Sequence, residues 1–305
     1  MKRIGIVGNA SIYKNKWEPV LRKSRNFQLV GVAREFAPVN TNKGERFGYK
    51  SFIKSEVDIV YVPLPNSLHY EISKFYLEKG INIIVEKPST PSLLETQELV
   101  NLANKNSCFI LESFQWRYHS RTKYLFEKIN NGLIPYLIDV VFTVPHFPEN
   151  NIRYSGKLNG GAALDLGSYP VSVITTLFPH LNFNLADFSS WNENYNVDVG
   201  GSGTFICDNP KIIFKFFYAF GLDYESKLIF HTNNGRFEIN QPFTISSNQE
   251  ALVLIEKNLN PTKHTFKDCH FNSMLNFISS DFEYSEVNKQ TLRQSKLLNQ
   301  IIERL

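Results

Sequence analysis

Two short islands carry the residue types best suited to chemistry: Glu86-Lys87-Pro88, and Gly160-Gly161-Ala162-Ala163-Leu164-Asp165-Leu166-Gly167-Ser168-Tyr169. The first closes an apolar run, Ile81 to Val85, that reads as a buried strand; the second opens a helix-like run. A lysine at a strand end and a tyrosine at a helix start are thus available to one cleft from two domains. Their joint chemistry would be the movement of a proton. Taken one at a time the same residues have bland readings. Lys87 alone is a surface charge, Tyr169 a helix-face aromatic, and Asp165 a first-turn acid answering the helix dipole.

The chain must be large enough to supply both platforms. Its 305 residues suffice for two domains, and 42% hydrophobic with 20% charged residues describes an ordinary globular protein. A formal charge of +4, with no long basic run, gives little reason to expect a nucleic-acid partner. Cys108, Cys207 and Cys269 are odd in number and widely spaced, which argues against a disulfide framework or a clustered zinc site. A cytoplasmic location and no bound metal are therefore expected. No apolar run approaches the ~18 residues of a membrane span, and the start at Met1 leads straight into a short strand.

Over the first 118 residues, short β-rich runs alternate with amphipathic segments. Arg3-Val7, Gln28-Ala33, Asp58-Val62, Ile81-Val85 and Phe109-Leu111 are the expected strands. Helices are expected from Leu68 to Lys79, before Gly80, and from Ser92, where Ser92 and Glu95 have capping-box spacing and Leu94, Leu99 and Leu102 supply an inner face. This is a Rossmann-like α/β pattern over 1–118. Beyond it, 119–305 reads as an α+β domain. Helices are expected at Lys123-Asn130 and Ala162-Leu177. Strands are expected at Ile212-Tyr218, Ser226-Thr232 and Leu252-Lys257, with a hairpin turn at Asn233-Asn234-Gly235 and a closing helix from Lys289 to Leu305. A large, mostly antiparallel open sheet is the natural product, and the closing helix has the option of packing back on the first domain.

A Rossmann pattern implies a dinucleotide, whose pyrophosphate sits at the turn after the first strand. That turn reads Gly8-Asn9-Ala10-Ser11-Ile12-Tyr13. Only the first glycine of G-x-G-x-x-G is kept, with Ala10 and Tyr13 in the other two places. At the end of the second strand stands Ala33-Arg34-Glu35, where an acid would bind the ribose of NAD. A guanidinium there pairs with the 2′-phosphate of NADP, so NADP is favoured over NAD, and Glu35 keeps the other cofactor in play. Pro63-Leu64-Pro65-Asn66-Ser67-Leu68-His69 makes a rigid turn at the same edge, placing Pro65, Asn66 and His69 among the expected cofactor contacts with Gly8, Asn9, Ala10 and Arg34.

Read together, these residues resemble the glucose-fructose oxidoreductase, inositol dehydrogenase and rhizopine catabolism (Gfo/Idh/MocA) superfamily. The resemblance rests on Val57-Asp58-Ile59-Val60-Tyr61-Val62 leading into Pro65-Asn66-Ser67-Leu68-His69, and on Glu86-Lys87-Pro88. Glu112-Ser113-Phe114-Gln115-Trp116-Arg117-Tyr118-His119, Asn151-Ile152-Arg153 and Gly160 through Pro170 complete it. It covers Arg3 to about Phe178 well and the remainder by general pattern. The Trp-Arg-Tyr-His and Asn-Ile-Arg elements look most like the branch of dihydrodiol dehydrogenases, sugar dehydrogenases and nucleotide-sugar 3-ketoreductases.

The resemblance implies a nucleotide domain followed by an α+β domain whose open sheet serves as an oligomer interface, giving a homodimer or homotetramer. It implies a Lys87-Pro88 bond that is often cis in relatives, with Lys87 the catalytic lysine and Asp165 and Tyr169 the substrate-side pair. Glu86, Trp116 and Arg117 would border the cofactor, and Arg153 would face substrate or cofactor. Many members have histidine where Tyr169 stands, but this branch has tyrosine.

An ammonium about 4 Å from a phenol of pKa ~10 favours the phenolate by about 4 kcal/mol at an effective dielectric of about 20, less the opposing desolvation. Tyr169 is therefore the expected general acid in ketone reduction, with Lys87 lowering its pKa and Asp165 orienting a substrate hydroxyl or Lys87. The expected substrate is a sugar or nucleotide-linked sugar, for which Asn151, His146, Arg153 and Asp165 supply hydrogen bonds. Two other readings stay open: a dihydrodiol or free-aldose dehydrogenase, and a catalytically silent NADP-binding sensor, which the altered glycines at Ala10 and Tyr13 would suit.

Overall fold

The computed structural model describes residues 1–35, 45–245, 250–257 and 260–305. It divides into two compact units, Met1–Phe114 with Leu275–Ser295, and Gln115–Met274 with Lys296–Leu305.

The first unit is built on β1 (Lys2–Val7), β2 (Phe27–Arg34), β3 (Glu45–Phe47), β4 (Ile59–Val62), β5 (Asn82–Val85) and β6 (Ile110–Glu112). All pair in parallel in the order β3-β2-β1-β4-β5-β6. Crossover segments cover both faces of such a sheet, which is why its strands are unbroken apolar runs: Ile59, Val60, Tyr61 and Val62 are all buried. Strand order reverses between β1 and β4, and the crevice outside the carboxyl ends at such a point is where ligands bind. Gly8 follows β1 and Pro63 follows β4, so both turns sit at that reversal.

Among the described residues three helices cross over in this unit: α1 (Glu18–Lys23), entered through a π-helical turn at Tyr13–Trp17, α2 (Asn66–Glu78) and α3 (Leu93–Lys105). Ser92 caps α3, its hydroxyl accepting the Glu95 N–H at 3.4 Å. Leu99 is buried as expected, but Leu94 is 81% exposed. Five helical steps separate the two, which turns Leu94 about 140° away from the inner face.

The second unit begins with a 3₁₀ turn at Gln115–Tyr118 and α4 (Ser120–Asn130), followed by β7 (Pro135–Val144). After it come α5 (Ser168–Leu177), entered through a second π-helical turn at Ala163–Gly167, and seven strands. These are β8 (Asn184–Trp191), β9 (Gly200–Asp208), β10 (Lys211–Phe220), β11 (Glu225–Thr232), β12 (Gly235–Asn240), β13 (Ala251–Lys257) and β14 (Asn260–Phe266). The sheet runs β14-β13-β12-β11-β7-β10-β9-β8. Pairing is antiparallel except between β7 and β10. The Asn233-Asn234 turn joins β11 to β12, with Thr232 opposite Gly235 at φ +104°. One face packs Ile138, Val140, Phe142, Phe214, Phe216, Leu228 and Phe230 into the core, each contributing roughly 1.5–3 kcal/mol by burial. Leu137, Val141, Ile213, Phe217 and Ile229 alternate with them on the other face and stay half-exposed.

Two helices close the chain, α6 (His270–Ser279) and α7 (Tyr284–Ile302). Within the first unit α7 occupies the open edge of β6. Asn288 Oδ1 accepts the Ile110 N–H at 2.8 Å and Thr291 Oγ1 donates to Ile110 O at 2.9 Å, so side chains satisfy an edge strand's backbone. Within the second unit Gln300 Oε1 likewise accepts the Leu185 N–H of β8 at 2.8 Å.

Candidate functional site

The turn after β1 exists because of Gly8. Its φ is +107°, and a Cβ there would lie 2.6 Å from Leu64 Cδ2, so both conformation and space demand glycine. Gly8 N–H donates to Ala33 O at 2.9 Å, which sets the turn beside Arg34 at the end of β2. The first backbone N–H groups of the helix that follows have no partners within the helix and point outward from its start. Asn9 and Ala10 are half-exposed there. Tyr13, in the third glycine place, is turned inward and 2% exposed, and burial pushes its phenol up to about 12. The turn therefore presents backbone and small side chains, with an arginine alongside, which fits a pyrophosphate and a ribose phosphate. Glu35 is exposed, and burial together with its nearby carboxylate pushes the Tyr49 phenol above its usual range.

The loop bearing Lys87 is clamped from two sides. His69, on α2, is fully buried, with Nδ1 2.8 Å from Pro88 O and Nε2 2.8 Å from Leu64 O. Burial holds its pKa below the usual histidine range, and a neutral ring donates to one of these carbonyls only. His69 was expected at the cofactor. Having no exposed surface, it instead fastens the loop after β4 to the loop after β5. From the other side Glu112 Oε1 accepts the Ser89 N–H at 2.8 Å. Glu86 accepts from the Tyr61 hydroxyl at 2.6 Å, and burial pushes its carboxyl above the usual range against that bond. Lys87-Pro88 is a cis peptide, and Lys87 is half-buried. Glu112 and Tyr61 escaped the sequence reading of this site, since nothing in a buried strand marks a polar clamp.

In the second unit Asp165 and Tyr169 are one helical step of four apart and share a face. Asp165 lies in the π-helical turn, a feature that recurs at functional sites, and Tyr169 opens α5. The Tyr169 ring packs edge-on to Phe142 at 5.0 Å and tilted to Phe243 at 4.9 Å between centroids. Arg153 Nε donates to Asp165 Oδ2 at 2.6 Å, and its guanidinium lies 4.4 Å from the Phe147 ring. The two were expected as separate substrate contacts. They form a charge-assisted pair with each other.

Asn151, expected to bind substrate, caps the short turn at Ile152–Tyr154 by accepting the Arg153 N–H at 3.1 Å. His146 is exposed, its Nδ1 3.2 Å from the Tyr154 hydroxyl. Trp116 and Arg117 are buried and brace α5: Trp116 Nε1 donates to Ser172 Oγ at 3.0 Å and Arg117 Nη2 to Thr175 Oγ1 at 3.2 Å. Among the described residues no group of three or more His, Cys, Asp or Glu is placed to hold a metal ion. Among the described residues no helix is long and apolar enough to cross a membrane.

The profile of the Gfo/Idh/MocA oxidoreductase family, NAD-binding Rossmann fold, matches residues 2–114. Over that segment the chain is similar to the Gfo/Idh/MocA oxidoreductases. Similarity extends beyond the nucleotide-binding unit. A dTDP-3,4-didehydro-2,6-dideoxy-alpha-D-glucose 3-reductase from Saccharopolyspora spinosa is 28% identical over 268 residues, 84% of this chain and 79% of the relative. An NADP-dependent D-xylose 1-dehydrogenase from Haloferax volcanii is 24% identical over 257 residues, 81% of this chain and 78% of its own length. In three dimensions KijD10, a 3-ketoreductase from Actinomadura kijaniata solved with NADP and TDP-benzene, superposes with a TM-score of 0.87 at 22% identity. That likeness spans 99% of this chain and 97% of KijD10, so both units share the fold of that protein.

Proposed function

We propose that this protein is an NADP-dependent reductase of a keto group on a nucleotide-linked sugar, using Lys87 and Tyr169 as its proton-transfer pair. The observation that carries the reading is sequence similarity spanning most of the chain to a nucleotide-sugar 3-reductase, and the presence of Lys87, Asp165 and Tyr169 in this sequence suits it. A binding module has no use for a proton donor.

In this reading the Gly8–Ile12 turn and Arg34 would hold the dinucleotide, which when bound would supply hydride chemistry at the carbonyl carbon. Tyr169 gives its hydroxyl proton to the carbonyl oxygen as the C=O π bond becomes an alcohol, and solvent reprotonates the phenolate. The Lys87 ammonium stabilises charge on both oxygens. Asp165, held by Arg153, accepts from a neighbouring substrate hydroxyl. The half-exposed apolar face of the second sheet, with Leu137, Val141, Ile213, Phe217 and Ile229, supports packing against a second copy of the chain.

The test is a substrate panel followed by nicotinamide absorbance: a dTDP-linked 3-keto-2,6-dideoxy sugar with NADPH, against D-xylose and a trans-dihydrodiol with NADP. Turnover confined to the nucleotide-linked substrate is the expected outcome. Faster turnover of xylose or the dihydrodiol would replace this substrate class, and tight NADPH binding without turnover of any would favour the silent sensor.

A further inference from the structure

We infer that Asp198 is a positioning residue for Asp165 and Tyr169, a carboxylate that holds the start of the helical segment carrying both. The inference rests on the substrate-side role proposed for those two residues.

Asp198 stands just before β9. Its Oδ2 accepts the Ala163 N–H at 2.7 Å and its backbone oxygen accepts the Ala162 N–H at 2.9 Å, so one residue satisfies two amides at the helix start. The glycines of the second island make room for this. Gly161 has φ +109°, and a Cβ on it would lie 2.4 Å from Asp198 Oδ1. A Cβ on Gly160 would lie 2.4 Å from Arg153 O, the oxygen that accepts the Gly161 N–H at 2.8 Å. The segment is thus gripped by Asp198 on one side and by the Arg153 backbone on the other, and the Arg153 side chain grips Asp165 as well.

Tyr218 of β10 closes the arrangement from the sheet. Its ring passes so near Gly167 and Gly201 that a Cβ on either would lie within 2.9 Å of it. Its buried hydroxyl faces the Asp198 carboxylate, in a contact looser than a well-formed hydrogen bond. Burial of Asp198 raises its carboxyl to about 6. A charged group is retained there at a cost, which calls for a role. Two helix-start bonds that fix rotation and register of the segment supply one, because a misplacement of about 1 Å at reacting groups costs about a hundredfold in rate.

Asp198→Asn keeps an acceptor for the Ala163 N–H, whereas Asp198→Ala removes it. The alanine variant is expected to lose about tenfold or more in kcat with the KM for NADPH unchanged, and the asparagine variant to stay within about threefold of wild type. Amide hydrogen exchange is the second readout. Exchange at Ala163 should speed up by about tenfold in the alanine variant and not in the asparagine variant, with β10 amides unaffected.

Unchanged exchange and unchanged kcat in Asp198→Ala would overturn the inference, as would equal losses in both variants. If wild type reduces no keto sugar, the functional reading fails, and the exchange comparison by itself still decides whether Asp198 holds the helix. Should the alanine variant not fold, Tyr218→Phe keeps the ring between Gly167 and Gly201 and removes only the hydroxyl facing Asp198. A fall of about threefold in kcat with faster Ala163 exchange supports the inference, and wild-type behaviour in both overturns it.

Discussion

Arg153 Nε donates to Asp165 Oδ2 at 2.6 Å, joining the Asn-Ile-Arg island to the helix that carries Tyr169. Asp165 is the less exposed partner, its side chain at 16% against 36% for Arg153. Removing the arginine therefore takes a countercharge from a mostly shielded carboxylate. Arg153→Met is expected to lower kcat by about tenfold to a hundredfold through loss of Asp165 orientation. The stability cost is expected to stay near 1 kcal/mol, because the arginine is open to solvent. Steady-state kinetics and urea unfolding measure the two separately.

Lys87→Ala and Tyr169→Phe should each lower turnover by about 10²–10⁴, the weight of a positioned acid-base group. NADPH binding, followed by nicotinamide fluorescence, should be retained in both. Near-normal turnover in both variants would remove them from the mechanism.

Arg34→Ser is expected to reduce kcat/KM for NADPH by about 10–100-fold, the value of a charge-assisted contact to phosphate. The value for NADH should change by less than about threefold. Equal losses with both cofactors would show that Arg34 supports the turn rather than reading the phosphate.

Stability should fall as pH drops below about 6.5. Burial holds His69, His119 and His270 below the usual histidine range, His270 at about 3, so each is neutral in the folded protein over a window where the unfolded chain takes up a proton. The unfolded state then binds more protons, and stability rises with pH until the unfolded pKa is passed. For His270 the change between about pH 7.5 and pH 5.5 is about 1.4 kcal/mol, and His270→Leu should flatten the profile by about that amount. Asp198 acts oppositely. Its carboxyl is raised to about 6, so the stability it contributes is present below the unfolded value and lost as pH rises past that point. Unfolding of the wild type, His270→Leu and Asp198→Asn across that range separates the two contributions.

Much of the first unit was readable because a parallel sheet covered on both faces writes its strands as unbroken apolar runs, and β1, β2, β4, β5 and β6 lie within a residue or so of those runs, whereas the short β3, Glu45–Phe47, was not expected. The second sheet was less legible. β7 begins at a proline and carries Asp139 mid-strand, and β9 opens Gly200-Gly201-Ser202-Gly203, which reads as a loop. Those glycines were the available sign of Tyr218, since Gly201 and Gly203 admit the Tyr218 hydroxyl and the Phe216 ring.

The amino-acid order alone determined that a nucleotide-binding α/β unit precedes an α+β unit, that glycine stands at residue 8, and that Asp165 and Tyr169 lie four residues apart on one helix. These follow from local periodicity and turn chemistry, which act over a few residues. Only the folded chain decided that Arg153 pairs with Asp165, that His69 and Glu112 clamp the Lys87 loop, and that Asp198 and Tyr218 support the Tyr169 helix. Such partners are brought together by burial of apolar surface that side chains far apart in the chain share, and a carboxylate's choice of partner is settled by which donor that packing leaves within reach.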